Sequence, residues 1–504
     1  MIIPLEEIVR SVTTENPWWE TKTIPKRFGV MSRRAYFEPF EKLVTNWSIN
    51  RAVILLGPRR VGKTVMTQHL IQGLIDSGVD PKEIMYVSID TPTYNNQGLQ
   101  FFIDLHVRHH QLPQDAQRYV IFDEIQYLAD WERHLKVLVD NNPQIRFVAS
   151  GSAAAALRLA STESGAGRFT EFMLPPLTFD EYLTFIGKNG LIENADPSEA
   201  GSFATCVDIE ELNKEFVNYI NYGGYPEAVV SEYIRMDAAR FIKNDIIDKV
   251  LLRDLPQLYG ITNIQELNKL FTSLAYQTGK EISLETLAQN SGGISKPTIA
   301  RYIEYLEAAF LIFRIRRVDD CARTFSRDRT FKIFLTNPSM RAALFSPMSG
   351  DSDGFGHLVE TAIFSQWFHS NTLNSLHYAR WKRSGRSKAE NGDHGEIDLV
   401  NLQGDLRPAW FIEIKWSDSV LKRPECWTSI DEFVRGKSTI KSGVFTSKTI
   451  TGKKEVHDIN VRIIPAALYC YTVGRNTAQY RGAQLLESES VEGQGDSEPI
   501  TERE

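Results

Sequence analysis

The sequence has few cysteines and lacks a long hydrophobic run. Its cysteines are Cys206, Cys321, Cys426 and Cys470, spread over 504 residues. This scatter argues against a zinc knuckle or a disulfide framework and favours a reducing compartment. No apolar stretch approaches the length of a membrane span, and Glu6 and Glu7 stand where a signal peptide carries positive charge. The sequence therefore predicts a cytoplasmic protein with no membrane partner.

Net charge is also small once the C-terminus is set aside. The formal charge is −7, but residues 487–504 contain seven acids and one arginine, so the remainder is close to neutral. A content of 42% hydrophobic and 24% charged residues is that of a globular protein, and the length suggests about three domains. Nucleic acid stays a possible partner because local basic patches matter more than the sum.

A glycine-rich loop lies between a strand pattern and a helical pattern. Ala52 to Leu56 predict a short buried strand, and Val65 to Ile75 carry apolar residues at helical spacing. Glycines allow the loop N–H groups to converge beside a helix N-terminus. Lys63 would then reach the β- and γ-phosphates of ATP, and the Thr64 hydroxyl would bind Mg²⁺. The predicted nucleotide-binding residues are Gly57, Pro58, Arg59, Arg60, Val61, Gly62, Lys63 and Thr64.

The next segments alternate strand and helix, which predicts a parallel α/β sheet. Tyr119 to Phe122 form an apolar run that ends in Asp123 and Glu124, at the ligand edge of such a sheet. Asp123 is expected to hold Mg²⁺, and Glu124 to orient or deprotonate the attacking water. A solvated acidic strand end is the alternative, but the preceding loop favours hydrolysis.

Three further residues are candidates for contact with the γ-phosphate. Ser150 or Ser152 could sense this phosphate at a strand end, although a hydroxyl there is equally often a turn residue. Arg168 follows a loop of small residues and is a candidate arginine finger. A solvated side chain is the simpler explanation for Arg168.

The middle of the chain is predicted to be helical. Residues 179–263 predict a helical lid on the nucleotide domain, interrupted by a turn at Asn221 to Glu227. In residues 264–332, a short helix from Leu284 to Gln289, a tight turn and a second helix capped by Ser295 form a helix-turn-helix pattern.

The segment after this second helix is basic. Phe313 to Arg316 alternate apolar and basic residues, which predicts a wing strand with its arginines outward. Between Arg314 and Lys332, seven basic residues stand against three acids, a balance that favours contact with DNA phosphates. A spacer or an oligomer contact is the alternative.

Two strand patterns near the C-terminus carry a second group of charged residues. In the first, Ile397 and Leu399 are predicted on one face and Asp398 on the other. In the second, Glu413 and Lys415 are predicted to share a face. If the strands are neighbours, the two carboxylates can bind Mg²⁺, and the lysine can position water and stabilise phosphate charge.

Glu360 lies on an upstream helical pattern, in the middle of an apolar stripe formed by Ile363, Phe364 and Trp367. Solubility does not explain a carboxylate at that position. On spacing alone, a polar strand face would be the better interpretation of Asp398, Glu413 and Lys415. The presence of Glu360 favours the alternative, a functional site that contains these charged residues.

Residues 51–480 resemble a prokaryotic group of AAA-type ATPases in which a P-loop module precedes a helical segment, a winged helix and a nuclease-like domain. The matching stretches are Gly57–Thr64, Val120–Gln126, Ala149–Ser152, Gly167–Arg168, Pro175–Glu181, Gly223–Glu227, Ser295–Phe313, Glu360, Glu396–Val400 and Glu413–Lys415. The C-terminal positions are similar to the PD-(D/E)XK nuclease core. The resemblance implies metal binding by Asp398 and Glu413, catalysis by Lys415 and an auxiliary role for Glu360.

The predicted fold is an α/β P-loop NTPase sheet followed by a helical lid, a winged helix-turn-helix and a restriction-endonuclease-like α/β domain. The predicted segments are residues 1–40 (N-terminal segment), 41–178 (ATPase core), 179–263 (lid), 264–332 (winged helix), 333–484 (nuclease-like domain) and 485–504 (acidic disordered tail).

The expected function is an ATPase that controls a Mg²⁺-dependent DNA nuclease, in phage defence or DNA maintenance, in a possible homo-oligomer. Two alternatives stay open. A regulatory NTPase could bind DNA or a partner without cutting, and a transcription regulator could use the ATPase as a switch.

Overall fold

The computed structural model describes residues 3–95, 97–113, 115–151, 167–193, 204–318, 330–382 and 394–478. Within these ranges the chain forms two compact units, one up to Pro175 and one from Pro176 to Thr477. No helix of the described ranges is long and apolar enough to cross a bilayer.

The first unit is an α/β sheet with helical connections. Its helices are α1 (Leu5–Glu15), α2 (Trp18–Thr21), α3 (Lys26–Gly29), α4 (Phe37–Thr45), α5 (Lys63–Asp76), α6 (Leu99–His110) and α7 (Trp131–Asn141), with 3-10 turns at Pro81–Glu83, Pro92–Tyr94 and Ile125–Tyr127. Its strands are β1 (Ala52–Leu56), β2 (Ile84–Ser88), β3 (Arg118–Asp123), β4 (Ile145–Gly151) and β5 (Phe169–Met173).

These strands form one sheet in the order β2-β3-β4-β1-β5, and all neighbours are parallel. Every residue of β1 is buried, as expected for a strand with neighbours on both sides and helices on its faces. The predicted parallel α/β sheet is confirmed. Because parallel strands end at the same edge, the residues after β1, β3 and β4 are brought to one side.

The N-terminal segment, which carries no motif, covers the free edge of β2. The Asn16 amide accepts from the Tyr86 N–H and donates to the Tyr86 carbonyl, both at 2.7 Å. The indole nitrogens of Trp18 and Trp19 donate to the Ile84 carbonyl at 3.1 and 2.8 Å. These side chains satisfy backbone groups that an open sheet edge would leave unpaired.

The second unit is larger and mixes helices with a long sheet. Its helices are α8 (Phe179–Phe185), α9 (Ile209–Tyr222), α10 (Pro226–Val230), α11 (Glu232–Met236), α12 (Ala238–Phe241), α13 (Leu255–Tyr259), α14 (Ile264–Tyr276), α15 (Leu284–Asn290), α16 (Lys296–Ala308), α17 (Ser339–Leu344), α18 (Phe355–Ser365), α19 (Pro424–Val434) and a last helix, α20, described over 466–478. Between α12 and α13 lie π-helical segments at Ile242–Asp248 and Val250–Asp254, and 3-10 turns lie at Asn189–Leu191, Asn371–Ser375 and Ser419–Lys422.

Its strands are β6 (Ile192–Glu193), β7 (Thr205–Cys206), β8 (Glu281–Ser283), β9 (Ile312–Val318), β10 (Thr330–Leu335), β11 (Leu376–Lys382), β12 (His394–Leu402), β13 (Pro408–Glu413), β14 (Ser442–Ser447), β15 (Gly452–Val456) and β16 (Ile459–Pro465). Strands β6 and β7 pair alone. The described parts of the others form a nine-stranded sheet in the order β15-β16-β14-β13-β12-β11-β9-β10-β8.

This sheet joins the predicted winged helix to the predicted nuclease-like domain. β9 pairs with β10 on one side and, in parallel, with β11 on the other, and the predicted boundary at residue 333 falls inside β10. β9 is therefore an interior strand rather than a projecting wing. Arg316 is exposed, as predicted, but Arg314 is half-buried and forms two hydrogen bonds of 2.8 and 2.7 Å with the Glu307 carboxylate.

The segment predicted as a lid also belongs to the second unit. Phe179, Phe216 and Tyr219 share one hydrophobic core with residues of α18, such as Phe364, and of α20, such as Tyr469. The described part of this segment is helical apart from the strand pair β6–β7, and the apolar faces of its helices pack within the second unit. The Gly-Gly turn after α9 is required by packing, because a Cβ at Gly224 would lie 2.3 Å from side-chain atoms of Asn337.

Candidate functional sites

The glycine-rich loop spans residues 57–62, between the end of β1 and the start of α5. Gly62 has a φ of 95° and Arg60 a φ of 63°, so the chain turns twice through the left-handed region. A Cβ at Gly57 would lie 2.2 Å from the carbonyl oxygen of Leu174, a distance that only glycine allows. The loop thus has the backbone shape of a phosphate cradle at a helix N-terminus.

Lys63 and Thr64 occupy the first positions of α5. The Lys63 ammonium group is buried and donates to the carbonyl oxygens of Gly57 (3.0 Å) and Pro58 (2.8 Å). The Thr64 hydroxyl donates to Oδ2 of Asp123 at 2.8 Å. A magnesium nucleotide fits these residues, because the cradle and lysine suit phosphate oxygens, and hydroxyl and carboxylate oxygens suit Mg²⁺.

Asp123 is the centre of the polar contacts at this edge of the sheet. Its side chain accepts from the Tyr86 hydroxyl at 2.7 Å, from the Glu124 N–H at 3.1 Å and from the Ser150 hydroxyl. Burial and the Asp123 charge raise the pKa of Tyr86 well above its usual value, so the phenol remains a donor. Nothing in the sequence distinguishes Tyr86 from other aromatic residues in strands. Ser152 lies outside the described residues.

Glu124 follows β3 in the left-handed region, with a φ of 53°. Its carboxylate accepts from the Gln126 amide, and it is half-buried. Glu124 therefore lies at the loop edge of the sheet, where the sequence predicts a residue that orients water.

Arg168 lies at the end of the sheet opposite to the glycine-rich loop. It directly precedes β5, and its carbonyl accepts from the N–H of Ala52, the first residue of β1. The glycine-rich loop follows the opposite end of β1, about 16 Å away along a five-residue strand. The Arg168 side chain forms an ion pair of 2.6 Å with Asp140. The structure thus separates Arg168 from the glycine-rich loop, and its role as an arginine finger stays a prediction.

Arg34 supports the loop from the N-terminal segment and was not predicted from the sequence. Its guanidinium group is buried and donates to the carbonyls of Val61 (2.6 Å) and Pro175 (2.9 Å). Arg34 thereby ties the loop to the segment after β5. No motif marks it, since a long-range contact to two backbone carbonyls leaves no pattern in the sequence.

The second group of charged residues forms around a β-bulge. The pairing of β11 with β12 advances by two residues on β11, from His377 to Ala379, and by three on β12, from Val400 to Ile397. The extra residue lies in the stretch that contains Asp398, and bulges commonly re-aim side chains beside active sites. The predicted alternation is therefore wrong here. Ile397 packs in one hydrophobic core, and Leu399 packs in the other.

Asp398, in the middle of β12, comes together with Glu413, the last residue of β13, and with Lys415, two residues further on. The Lys415 ammonium group lies 2.9 Å from Asp398 Oδ2 and 2.8 Å from Glu413 Oε1. The Ile414 N–H donates to Asp398 Oδ2 at 2.8 Å. The buried Thr446 hydroxyl accepts from the Lys415 N–H (2.7 Å) and donates to its carbonyl (2.8 Å). Thr446 therefore fixes the backbone of Lys415 from strand β14, which the sequence pattern did not reveal.

Burial and neighbouring charges act on these groups in opposite directions. Burial and the Asp398 charge raise the pKa of Glu413, although Lys415 opposes them. Burial also acts to raise the pKa of Asp398, but Lys415 and Lys332 lower it below its usual value. The pKa of Lys415 is raised well above its usual value, because the two carboxylates outweigh burial. Two carboxylates in one site whose pKa values are pushed apart are typical of functional sites.

The helix α18 places Glu360 beside this group, next to a second lysine. Lys332 Nζ lies 3.3 Å from Glu360 Oε2, 2.8 Å from Glu396 Oε1 and 3.7 Å from Asp398 Oδ1. Glu360 is buried, as predicted, with His357 Nδ1 3.6 Å from its other oxygen. The sequence marks Lys332 only as the last of seven basic residues that begin at Arg314, and it does not predict this contact with the carboxylates.

A divalent cation fits Asp398 and Glu413. Oε2 of Glu413 is buried and has no hydrogen-bond partner, and a buried carboxylate oxygen without a partner is costly unless a cation completes it. No three His, Cys, Asp or Glu side chains of the described residues are grouped as a ready metal cage. Mg²⁺ does not need one, since it is commonly held by one or two carboxylates, with waters and substrate phosphate as the other ligands.

The chain matches two protein families. Residues 49–183, which include the sheet and the glycine-rich loop of the first unit, match an AAA domain. Residues 213–351 match a domain of unknown function. This second match includes α14 to α16 and extends past β10, across the boundaries that the sequence predicted at residues 263 and 332.

The chain is also similar to whole proteins. An uncharacterized protein of Haemophilus influenzae is 23% identical over 406 residues, which cover 78% of this chain and 88% of that protein. Uncharacterized protein MJ1544 of Methanocaldococcus jannaschii is 25% identical over 295 residues, 56% of this chain and 60% of that protein.

Two solved structures are similar to parts of the chain. The Walker-type ATPase PABY2304 of Pyrococcus abyssi has a TM-score of 0.35 at 15% identity and covers 62% of this chain and 96% of that one. The replication initiator DnaA, bound to AMPPCP and single-stranded DNA, has a TM-score of 0.26 at 12% identity. The similarity covers 53% of this chain and 86% of the DnaA chain.

Replacing Arg34 tests its support of the loop. In Arg34→Ala the carbonyls of Val61 and Pro175 lose a charged donor, and hydrogen bonds to charged groups contribute about 1.5–3 kcal/mol each. We expect a lower unfolding midpoint and a Kd for ATP raised roughly tenfold, measured by thermal unfolding and by titration with a fluorescent ATP analogue. The control is Arg33→Ala, which removes an exposed arginine that packs on the ring of Phe37. Unchanged ATP binding in Arg34→Ala would contradict the role.

Proposed function

We propose that the protein is an ATP-hydrolysing enzyme that controls a Mg²⁺-dependent nuclease acting on DNA. The observation that carries the nuclease half is the position of the Lys415 ammonium group, which lies within 3 Å of a carboxylate oxygen of both Asp398 and Glu413. A polar strand face, the alternative from spacing alone, would be solvated, whereas both of these carboxylates are buried.

The ATPase half of the proposal is supported by the arrangement at the glycine-rich loop. The cradle and Lys63 would bind the phosphates of the nucleotide, and Thr64 and Asp123 would hold the Mg²⁺ ion. Glu124, at the same edge of the sheet, orients the attacking water, and its contact with Gln126 sets the direction of its carboxylate. Tyr86 and Ser150 hold Asp123 in place by hydrogen bonds.

The nuclease part of the proposal also uses metal-assisted hydrolysis, here of a phosphodiester bond in DNA. A bound divalent cation would polarise the scissile phosphate and lower the pKa of a bound water. Asp398 and Glu413 are the residues that would hold this cation. The buried Oε2 atom of Glu413, which has no hydrogen-bond partner, would then gain one in the metal ion. Lys415 would move from its two carboxylate partners to the phosphate and stabilise the negative charge that develops during hydrolysis.

DNA is the proposed partner because exposed basic groups follow the helix-turn-helix pattern. Lys296 and Arg301 are exposed on α16, the second helix of this pattern, which in such motifs contacts DNA. Arg316 is also exposed, on β9, and its positive charge suits contact with a phosphate. Control by ATP is proposed from the order of the domains along the chain. β10 provides a physical path inside the second unit, since it pairs with β9 and carries Lys332 into the site.

Two variants test the ATPase assignment. Lys63→Ala should lose ATP binding, because the loop then lacks the charge that meets the phosphates. Glu124→Gln should still bind ATP but hydrolyse it about 100-fold more slowly, the order expected when a general base is removed. Phosphate release and nucleotide binding measure the two effects, with the exposed Asp104→Asn on α6 as control. Normal hydrolysis by Glu124→Gln would contradict the role of Glu124.

A cleavage assay tests the nuclease assignment and its control by ATP. Supercoiled, linear and single-stranded DNA are incubated with Mg²⁺, with and without ATP. The wild type should cut, and ATP should change the rate. Asp398→Asn and Lys415→Met should each lower the rate at least about 100-fold, as expected when a group that stabilises transition-state charge is removed. Asp405→Asn, at the exposed turn between β12 and β13, is the matched control.

The outcomes separate the alternatives. Cleavage that Asp398→Asn leaves intact would contradict the proposed nuclease site. Binding of DNA without any cleavage would favour the regulatory NTPase, and binding to one particular sequence would favour the transcription regulator. Cleavage at the same rate with and without ATP, and in Lys63→Ala, would contradict the control by ATP while leaving the nuclease in place.

A further inference from the structure

Lys332 reaches the candidate nuclease site from a neighbouring strand. It lies in the middle of β10, and its side chain is only 4% exposed. Its ammonium group contacts three carboxylates, Glu396 at 2.8 Å, Glu360 at 3.3 Å and Asp398 at 3.7 Å. Lys332 thus lies on the side of Asp398 that Lys415 does not occupy, because Lys415 contacts Oδ2 and Lys332 faces Oδ1.

Several groups hold Lys332 in this position. Its ammonium group lies 5.3 Å from the ring centre of Tyr378, whose hydroxyl donates to Glu281 at 2.8 Å. Arg380 forms an ion pair with the same Glu281 and lies 4.0 Å from Glu396. Moving the lysine out would leave the buried Glu360 carboxylate without its lysine partner, and breaking one partner from a buried ion pair is strongly destabilising. The position of Lys332 is therefore a fixed part of the site.

The charges around Lys332 are those that would otherwise attract a cation. Glu360, Glu396 and Asp398 offer hard oxygen atoms, the ligands that Mg²⁺ and Mn²⁺ prefer. Their distances of 2.8 to 3.7 Å from the nitrogen suit an ammonium group and exceed metal–oxygen distances of about 2.0–2.6 Å. The carboxylates would have to close inward by about an ångström to bind a metal there.

We propose that the Lys332 ammonium group takes the place of a second divalent cation, so that the nuclease site binds a single metal ion, at Asp398 and Glu413. This inference rests on the proposed nuclease function and specifies its metal content. Many phosphodiesterases use two metal ions a few ångströms apart. Here one of the two positive charges is built into the chain.

The formal charge of the cluster agrees with one metal ion. Lys332 and Lys415 face four carboxylates, so a charge of −2 remains when all are ionised. One divalent cation balances this charge, whereas a second would leave an excess of positive charge in a buried site. Glu360 then acts as a positioning residue that holds Lys332 and does not bind the metal.

The test is a count of Mn²⁺ ions bound to the full chain without nucleotide. Free Mn²⁺ is measured by electron paramagnetic resonance during titration, so the readout does not depend on cleavage. Weak binding at the nucleotide loop contributes equally to all variants, and only differences from the wild type are interpreted. Circular dichroism confirms that each variant is folded.

Asp398→Asn should bind one Mn²⁺ fewer than the wild type. Lys332→Met should bind one more, because three carboxylates lose their cation, whereas Lys332→Arg should bind the same number as the wild type. Glu360→Gln should also leave the wild-type count unchanged, and this variant keeps the test valid if Lys332→Met fails to fold.

The outcomes distinguish this inference from the proposed function. A loss of one Mn²⁺ in Glu360→Gln, or the same count in folded Lys332→Met as in the wild type, would overturn the inference and leave the metal site at Asp398 intact. No change in Asp398→Asn would instead overturn the metal site itself, and with it the proposed nuclease.

Discussion

The candidate site of the second unit depends on two lysines that pair with four carboxylates, three of which are buried. Lys415 bridges Asp398 and Glu413, and Lys332 bridges Glu360, Glu396 and the other oxygen of Asp398. Burying such charges is costly, and their mutual attraction offsets the cost only when geometry and hydrogen bonds are good. A chain that needed stability alone would do as well with apolar residues. The proposed nuclease chemistry gives these charges a use that stability alone does not.

The sheet explains how these charges meet. β10, β12 and β13 come from parts of the chain that sequence patterns assign to different domains, but they belong to one nine-stranded sheet within the described residues. The parallel pairing of β9 with β11 joins the two parts. Lys332 lies on β10, which pairs with β9, so the segment predicted as a winged helix contributes a side chain to the site. The segments that the sequence predicts as a winged helix and a nuclease-like domain thus belong to one compact unit.

The sequence was sufficient where the chemistry is local. The glycine-rich loop, Thr64 and the acidic end of β3 follow from a strand, a turn and a helix that are adjacent in the chain, and the parallel sheet follows from the alternation of elements. Glu360 was identified because a carboxylate in an apolar stripe conflicts with its surroundings. Such conflicts are visible without a structure.

The sequence was insufficient where contacts join distant segments. Arg34, Tyr86, Thr446 and Lys332 each act on a residue from another element, and no spacing rule connects them. The bulge at Asp398 places Ile397 and Leu399 in different hydrophobic cores. Alternation of apolar and polar residues does not reveal a bulge, so the sequence predicted the same face for both residues. The apolar faces of the helices predicted as a lid pack against α18 and α20. These partners lie more than a hundred residues away along the chain, so the sequence pattern does not reveal them.

The central claim is that Asp398 and Glu413 hold a divalent cation. The most direct measurement is a crystal structure of the full chain grown with Mn²⁺, with data collected at the manganese absorption edge. The account predicts one anomalous peak in contact with oxygens of both carboxylates, with Lys332 still paired to Glu360. Absence of a peak at these residues, when the nucleotide loop binds Mn²⁺ in the same crystal, would contradict it.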